Sequence, residues 1–261
     1  MSDSKPLALV TGASSGIGLE LARQFGENGF DLVVAAEDAG LSAAAEELRG
    51  TGAQVQPVQV DLRTPDGVAQ LYTAATALGR PLDAVALNAG VGQGGAFIDA
   101  DLADLQSIID LNVTSTVHLA HLTLKDMVAR GEGRLLITSS IAASMPGPFQ
   151  AVYNASKSFV QSLAEALQQE LKDSGVTITS FMPGPTDTRF FARAGLEDTA
   201  MGQGPKDDPA QVAGQAFQAL MKGEEKLTAG SLMTKVQGAA NKVLPDKLKA
   251  VGHRQMAKPR E

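Results

Sequence analysis

The chain of 261 residues contains no cysteine and no tryptophan, and aromatic residues make up only 4% of it. Without cysteine there can be no disulfide, no thiolate nucleophile and no cysteine-ligated metal. The absence fits a reducing compartment. With aromatics scarce, the core must be assembled from Ala, Val, Leu and Ile. A hydrophobic share of 44% is enough for a packed globule. No apolar run approaches the roughly 20 residues that a membrane span requires. The first residues, Met1 to Pro6, are polar and lack the apolar stretch of a signal peptide. The expected compartment is the cytoplasm. A net charge of −7 disfavours generic binding to nucleic acid. The charge is uneven. From Gly230 onward seven Lys/Arg face two acids, a local balance of +5 that leaves −12 on the rest.

What is present is an alternation of apolar runs and helically spaced segments. Strands are predicted over 5–11, 31–36, 55–60, 84–87, 135–139, 176–182 and 227–232. Helices are predicted over 16–28, 41–48, 68–78, 108–128, 152–171 and 209–221. Buried strands alternating with helices imply an α/β fold. The expected form is a Rossmann-type doubly wound parallel sheet of about seven strands with helices on both faces. The predicted organisation is one domain over 1–229 and a basic, partly amphipathic extension over 230–261. Residues 189–208, rich in glycine and polar residues, read as a mobile loop of the kind that covers a site.

The first predicted strand runs into Thr11-Gly12-Ala13-Ser14-Ser15-Gly16-Ile17-Gly18. Glycines allow a tight turn and close backbone approach to a pyrophosphate, and the following helix points free N–H groups at the anion. Ser14 and Ser15 add hydroxyl donors. No Gly-Lys-Ser/Thr follows, which argues against a P-loop. Further on, Tyr153 and Lys157 stand four residues apart and share one helical face. An ammonium one turn away would lower the phenol pKa, so that the phenol could exchange a proton with a substrate oxygen. Ser140, at a strand end, could hold a carbonyl oxygen beside the tyrosine. Its plainer role is a hydroxyl capping the local backbone.

Taken with Asp61, Asn88-Ala89-Gly90, Asn112 and Pro183-Gly184, in this order and at these intervals, the residues resemble the single-domain short-chain dehydrogenase/reductase family over about residues 5–190. The resemblance implies a role for each. Tyr153 would be the acid/base and Ser140 would orient the carbonyl. Lys157 would bind the ribose and depress the tyrosine pKa. Asn112 would hold a water in a proton relay. Gly12 and Gly16 to Gly18 would carry the pyrophosphate. Asp61 would bond the adenine amino group with Leu62 alongside, and Asn88 to Gly90 would pass the ribose. Pro183, Gly184, Thr186 and Thr188 would line the nicotinamide pocket. Two departures stand out: Leu87 replaces an asparagine common before Ala-Gly, and the C-terminus lacks the family's frequent Asp-Gly-Gly and continues as a basic tail.

Glu37 follows the second strand, where an acid meets the ribose 2′-hydroxyl and repels a 2′-phosphate, so NAD(H) is expected over NADP(H). His118 and His121 lack a third ligand, so no metal is expected, and His253 stands alone in the tail. In the tail, Leu232, Val236, Ala240 and Val243, then Leu244, Leu248 and Val251, form an apolar stripe. It is expected to pack on the body or on a partner subunit rather than on a membrane. The predicted function is hydride exchange between a nicotinamide and an alcohol/carbonyl pair. The partners are a small-molecule substrate and a second or further copies, as a homodimer or homotetramer. The alternatives are a catalytically silent dinucleotide-binding sensor or scaffold, and transient oxidation within an epimerisation or dehydration. Met145, Phe149, Phe190 and Phe191 suggest an apolar substrate pocket.

Overall fold

The computed structural model describes residues 5–236 and 244–258. Among them are seven strands: β1 (Leu7–Thr11), β2 (Asp31–Ala36), β3 (Val55–Gln59), β4 (Ala84–Leu87), β5 (Gly133–Thr138), β6 (Val176–Pro183) and β7 (Lys226–Ala229). The helices between them are α1 (Gly16–Glu27), α2 (Gly40–Arg49), α3 (Pro65–Thr76), α4 (Leu102–Ile109), α5 (Ser115–Arg130) and α6 (Ala151–Glu170). After β6 come α7 (Phe190–Arg193), α8 (Ala200–Gln203) and α9 (Pro209–Lys222), and α10 (Asp246–Ala257) follows β7.

Period-two alternation along the strands builds two cores. Ala8 and Val10 of β1 point into one, with Leu32 and Val34 of β2, and α1, α2 and α9 close it. Leu7 and Leu9 point into the other, with Val33, Val85 and Leu135, beneath α3, α5 and α6. The scarce aromatics concentrate in the first core, where Phe25 meets Phe30 and Phe217 edge-on with ring centroids 5.2 Å apart. The sheet order is β3-β2-β1-β4-β5-β6-β7 and each pairing is parallel. The expected doubly wound sheet is therefore present. Its order reverses between β1 and β4, which opens a crevice at their carboxyl ends.

Three expectations are revised. The long helix before β5 starts earlier than residue 108, because Asp101 caps α4 through Ala103 N at 2.8 Å. It then passes through a π-helical turn at Asp110–Thr114, which turns Asn112 inward. Strand β7 ends at Ala229, where Gly230 departs at φ 130°, short of residue 232. Residues 189–208 are ordered into α7 and α8 around their own small core of Phe191, Ala194 and Leu196. Thr199 caps α8 by accepting from Gly202 N at 3.0 Å. Ala240 and Val243 of the expected tail stripe lie outside the described residues.

Candidate active site

One cavity of about 640 Å³ occupies the crevice, well within the range of ligand pockets. Gly12, Ser14, Ser15, Gly16, Ile17, Gly18, Glu37, Asp61, Leu62, Asn88, Ala89, Gly90, Ser140, Tyr153, Lys157, Pro183, Gly184, Thr186 and Thr188 all line it. Asn112 does not. It is 2% exposed and stands behind the wall.

At one end, the glycine turn is closed by backbone against backbone. A Cβ on Gly18 would lie 2.1 Å from Gly12 O, and one on Gly12 would lie 3.0 Å from Ala89 Cα. Thr11 Oγ1 accepts from Asn88 N (2.9 Å) and Ala89 N (3.0 Å), tying the ends of β1 and β4 together. Ser15 precedes α1 without a side-chain cap, so the helix presents its first N–H groups to the cavity. This cradle of main chain and helix dipole fits a pyrophosphate.

Further along this end the acids are already engaged. Ser14 Oγ donates to Asp38 Oδ2 at 2.6 Å, so its hydroxyl is directed away from the phosphate role expected of it. That bond is the main reason the Asp38 carboxyl lies below its usual range. Arg193 Nη2, from α7, stands 3.9 Å from the same carboxylate. Arg63 donates to Asp61 Oδ1 through its Nε at 2.9 Å and to Glu37 Oε2 through Nη2. Glu37 therefore lies at the cavity as expected, with a guanidinium at its side that the sequence reading missed.

At the other end, α6 sets the chemistry. Tyr153 sits in its first turn and Lys157 one turn on. Asn154 Nδ2 donates to Ala142 O and Met145 O, each at 3.2 Å, and Ser158 Oγ donates to Ala143 O at 2.7 Å. These bonds stitch the turn of residues 141–145 to the helix and bring the Ser140 hydroxyl near enough to Tyr153 to pull its phenol pKa down. Ser140 Oγ also accepts from Ala142 N at 3.1 Å, so the capping role is real as well. Asn112 commits its amide to Val91: Nδ2 donates to Val91 O and Oδ1 accepts from Val91 N, both at 2.9 Å. It also donates to Ser156 Oγ. A Cβ on Gly90 would crowd Asn112 Oδ1 and Lys157 Nζ, each at 3.2 Å.

The electrostatics differ from expectation. Burial pushes the Tyr153 phenol up to about 12, against the opposing pull of the Ser140 hydrogen bond. Burial also brings the Lys157 amine down to about 8. Lys157 Nζ donates to Thr138 O at 2.9 Å and lies 5.9 Å from the Tyr153 ring centre. A lysine whose own charge is disfavoured is a weak source of positive potential, so desolvation of the phenol wins.

The cavity is roofed by large side chains. Phe190 packs on Tyr153 with centroids 5.2 Å apart. Phe191 turns into the small core around α7 and α8, and Lys206 Nζ sits 5.1 Å from its ring centre. Helix α10 closes part of the rim. His253, which showed no partner in the sequence, is buried with Nδ1 3.1 Å from Pro148 O. Of the expected tail stripe, Leu232, Val236, Leu244, Leu248 and Val251 are exposed on the single chain, so the stripe is not buried against the body, which leaves the partner-subunit face. His118 is half-buried and His121 exposed on α5. Among the described residues no three potential ligands gather around a metal position. No helix among them is long and apolar enough to cross a membrane.

The family model for short chain dehydrogenases matches residues 6–198. A ketoacyl reductase, HetN, from Nostoc sp. is 29% identical over 217 residues, covering 81% of this chain and 74% of the relative. A short-chain dehydrogenase from Sphingobium yanoikuyae, solved with NADPH, superposes with a TM-score of 0.79 at 30% identity, covering 86% of this chain and 87% of that one. A family member from Burkholderia phymatum, solved with NAD, shares the fold at a TM-score of 0.84 and 23% identity, over 100% of this chain and 99% of that one. The chain belongs to the short-chain dehydrogenase/reductase family. It is a nicotinamide-dependent oxidoreductase.

Proposed function

We propose that the protein interconverts an alcohol and a carbonyl compound with Tyr153 as the group that exchanges the proton at the substrate oxygen. One observation carries the reading: the Tyr153 and Ser140 hydroxyls meet in the cavity that the glycine turn also enters. A mere dinucleotide sensor would not need that pair. The bound nicotinamide supplies or takes up the hydride. Ser140 orients the carbonyl oxygen toward Tyr153. A phenol held protonated up to about 12 is in the form that gives the proton when the carbonyl is reduced, and the reverse step returns it. Lys157 would bind the ribose hydroxyls, and Asn112, bonded to Val91 N and O, would steady the Gly90–Val91 backbone against the cofactor. Gly12, Ser15, Gly16, Ile17 and Gly18 would hold the pyrophosphate, with Asp61, Leu62, Asn88 and Ala89 around the adenosine. Pro183, Gly184, Thr186 and Thr188 would flank the nicotinamide. The acid at Glu37 favours NAD(H) over NADP(H).

The same reading makes the protein a cytoplasmic enzyme. Val117 on α5 and Phe159 on α6 are exposed apolar residues suited to a dimer contact. The catalytic assignment is tested by Tyr153→Phe. Turnover of a carbonyl panel should fall by about 10³-fold or more. NADH affinity, followed by the fluorescence of the nucleotide, should change by less than about two-fold. A variant that keeps turnover removes Tyr153 from the reaction.

A further inference from the structure

Helix α10 presents Lys249, His253, Met256 and Ala257 to the molecule at helical spacing and leaves Leu248, Val251 and Arg254 outside. Lys249 Nζ anchors it by donating to Ser144 O at 2.8 Å. His253 is 2% exposed, and its ring lines the cavity. Its Nδ1 faces Pro148 O, and a carbonyl can only accept, so Nδ1 carries the proton. Burial lowers the pKa of the ring and keeps it neutral, which leaves Nε2 with a lone pair. Among the described residues no protein group is bonded to Nε2. The same cavity is lined by Met145, Phe190, Met201, Met233 and Met256, apolar and adaptable side chains. Lys206, which also lines the cavity, is turned to Gly202 O.

We propose that His253 Nε2 is a substrate-recognition atom, and that the preferred substrate is an apolar carbonyl compound carrying a second group, a hydroxyl or an N–H, that donates to it. The inference rests on the oxidoreductase reading of the same cavity. An apolar pocket discriminates weakly between homologues. A pocket with one buried acceptor rejects ligands that leave the acceptor unpaired.

Two substitutions separate recognition from scaffolding. In His253→Asn the amide nitrogen takes the place of Nδ1 and can still donate to Pro148 O, while Nε2 is lost. In His253→Gln the amide reaches the place of Nε2 and the bond to Pro148 is given up. The probes are 2-alkanones of graded length, each paired with its terminally hydroxylated analogue, assayed with NADH and, separately, by calorimetric binding to the whole protein. The full-length protein should prefer the hydroxylated member by about ten-fold at one or more lengths. His253→Asn should abolish that preference and His253→Gln should keep part of it. No preference in either readout, or a preference that survives His253→Asn, overturns the proposal. A binding preference without any turnover supports His253 and counts against the oxidoreductase reading instead.

Discussion

The two ends of the cavity are made of different materials. The dinucleotide end is main chain: Gly12, Gly18 and Gly90 are spaces in which a single Cβ would strike backbone or a functional side chain. The substrate end is side chain: Met145, Phe190, Met201, Met233, Met256 and His253, from the turn after β5, the α7–α8 segment, the segment after β7 and α10. A pocket built from backbone admits almost no substitution, whereas one built from long flexible side chains can be reshaped without altering the fold. One scaffold can therefore hold its cofactor geometry constant while its substrate changes. The sharpest way to break this comparison is to alter each end by one small group. Gly18→Ala would place a methyl 2.1 Å from Gly12 O, and should weaken NADH binding by about 100-fold or more in a fluorescence titration. Met256→Ala should leave NADH affinity within about two-fold and shift the chain-length preference toward larger ketones. Equal damage to NADH binding from both would erase the distinction.

The same contrast explains what the sequence disclosed. The turn, Ser140, Tyr153 and Lys157 were legible because their chemistry demands particular residue types at set spacings, and all of them line the cavity. The sheet was legible from apolar runs, down to the alternation that feeds two cores. Helix α10 was not. Its apolar stripe, Leu244, Leu248 and Val251, suggested a packing face, yet the face that packs carries Lys249 and His253. The carbonyls of Ser144 and Pro148 bond those polar residues, and no periodicity on α10 can announce carbonyls about a hundred residues away. The π turn at Asn112 was hidden for a similar reason: one extra residue per turn leaves the apolar spacing nearly helical. The pairing of Lys157 with Tyr153 was visible, but the desolvation that reverses its expected effect depends on walls supplied by the whole fold.

That desolvation has a measurable signature. Lys157 titrates near 8 in the fold against 10.5 when exposed, so below about 8 the fold bears the full cost of a buried charge. The cost is relieved as pH rises from 8 toward 10.5, because the unfolded chain then binds more protons than the folded one. Lys157→Met should therefore melt higher than the parent near pH 7, and the parent should close that gap as pH is raised to about 10. Tyr153 acts in the opposite sense at higher pH. Its phenol is raised to about 12, so stability is lost above about 10 as unfolded phenols ionise first. Melting curves of both proteins across this range test the pair, and a gap constant with pH would show that Lys157 holds its proton as readily in the fold as in the unfolded chain.

A smaller effect is expected at the edge of the backbone-built end, where side chains begin to decide. Glu37 is held by Arg63, which also grips Asp61. Glu37→Gln removes the repulsion of a 2′-phosphate and leaves Arg63 free to meet it. The ratio of NADPH to NADH affinity should rise by about ten-fold, and the added substitution Arg63→Met should cancel most of the gain. A ratio unmoved by Glu37→Gln would mean that the acid discriminates nothing.

The smallest effect concerns the outer face of α10. Leu248 is 58% exposed and Val251 52%, beside Lys247 and Arg254. If solvent is their neighbour in the working protein, Leu248→Ser should change stability by less than about 0.5 kcal/mol and leave the sedimentation profile as it was. The inner face gives the control, since Lys249→Met breaks the bond to Ser144 O and should loosen the rim of the substrate end. A marked loss of stability or of assembly from Leu248→Ser would place a second surface over α10. The substrate end would then be closed from outside as well as from within, and its pocket could not be understood from one chain alone.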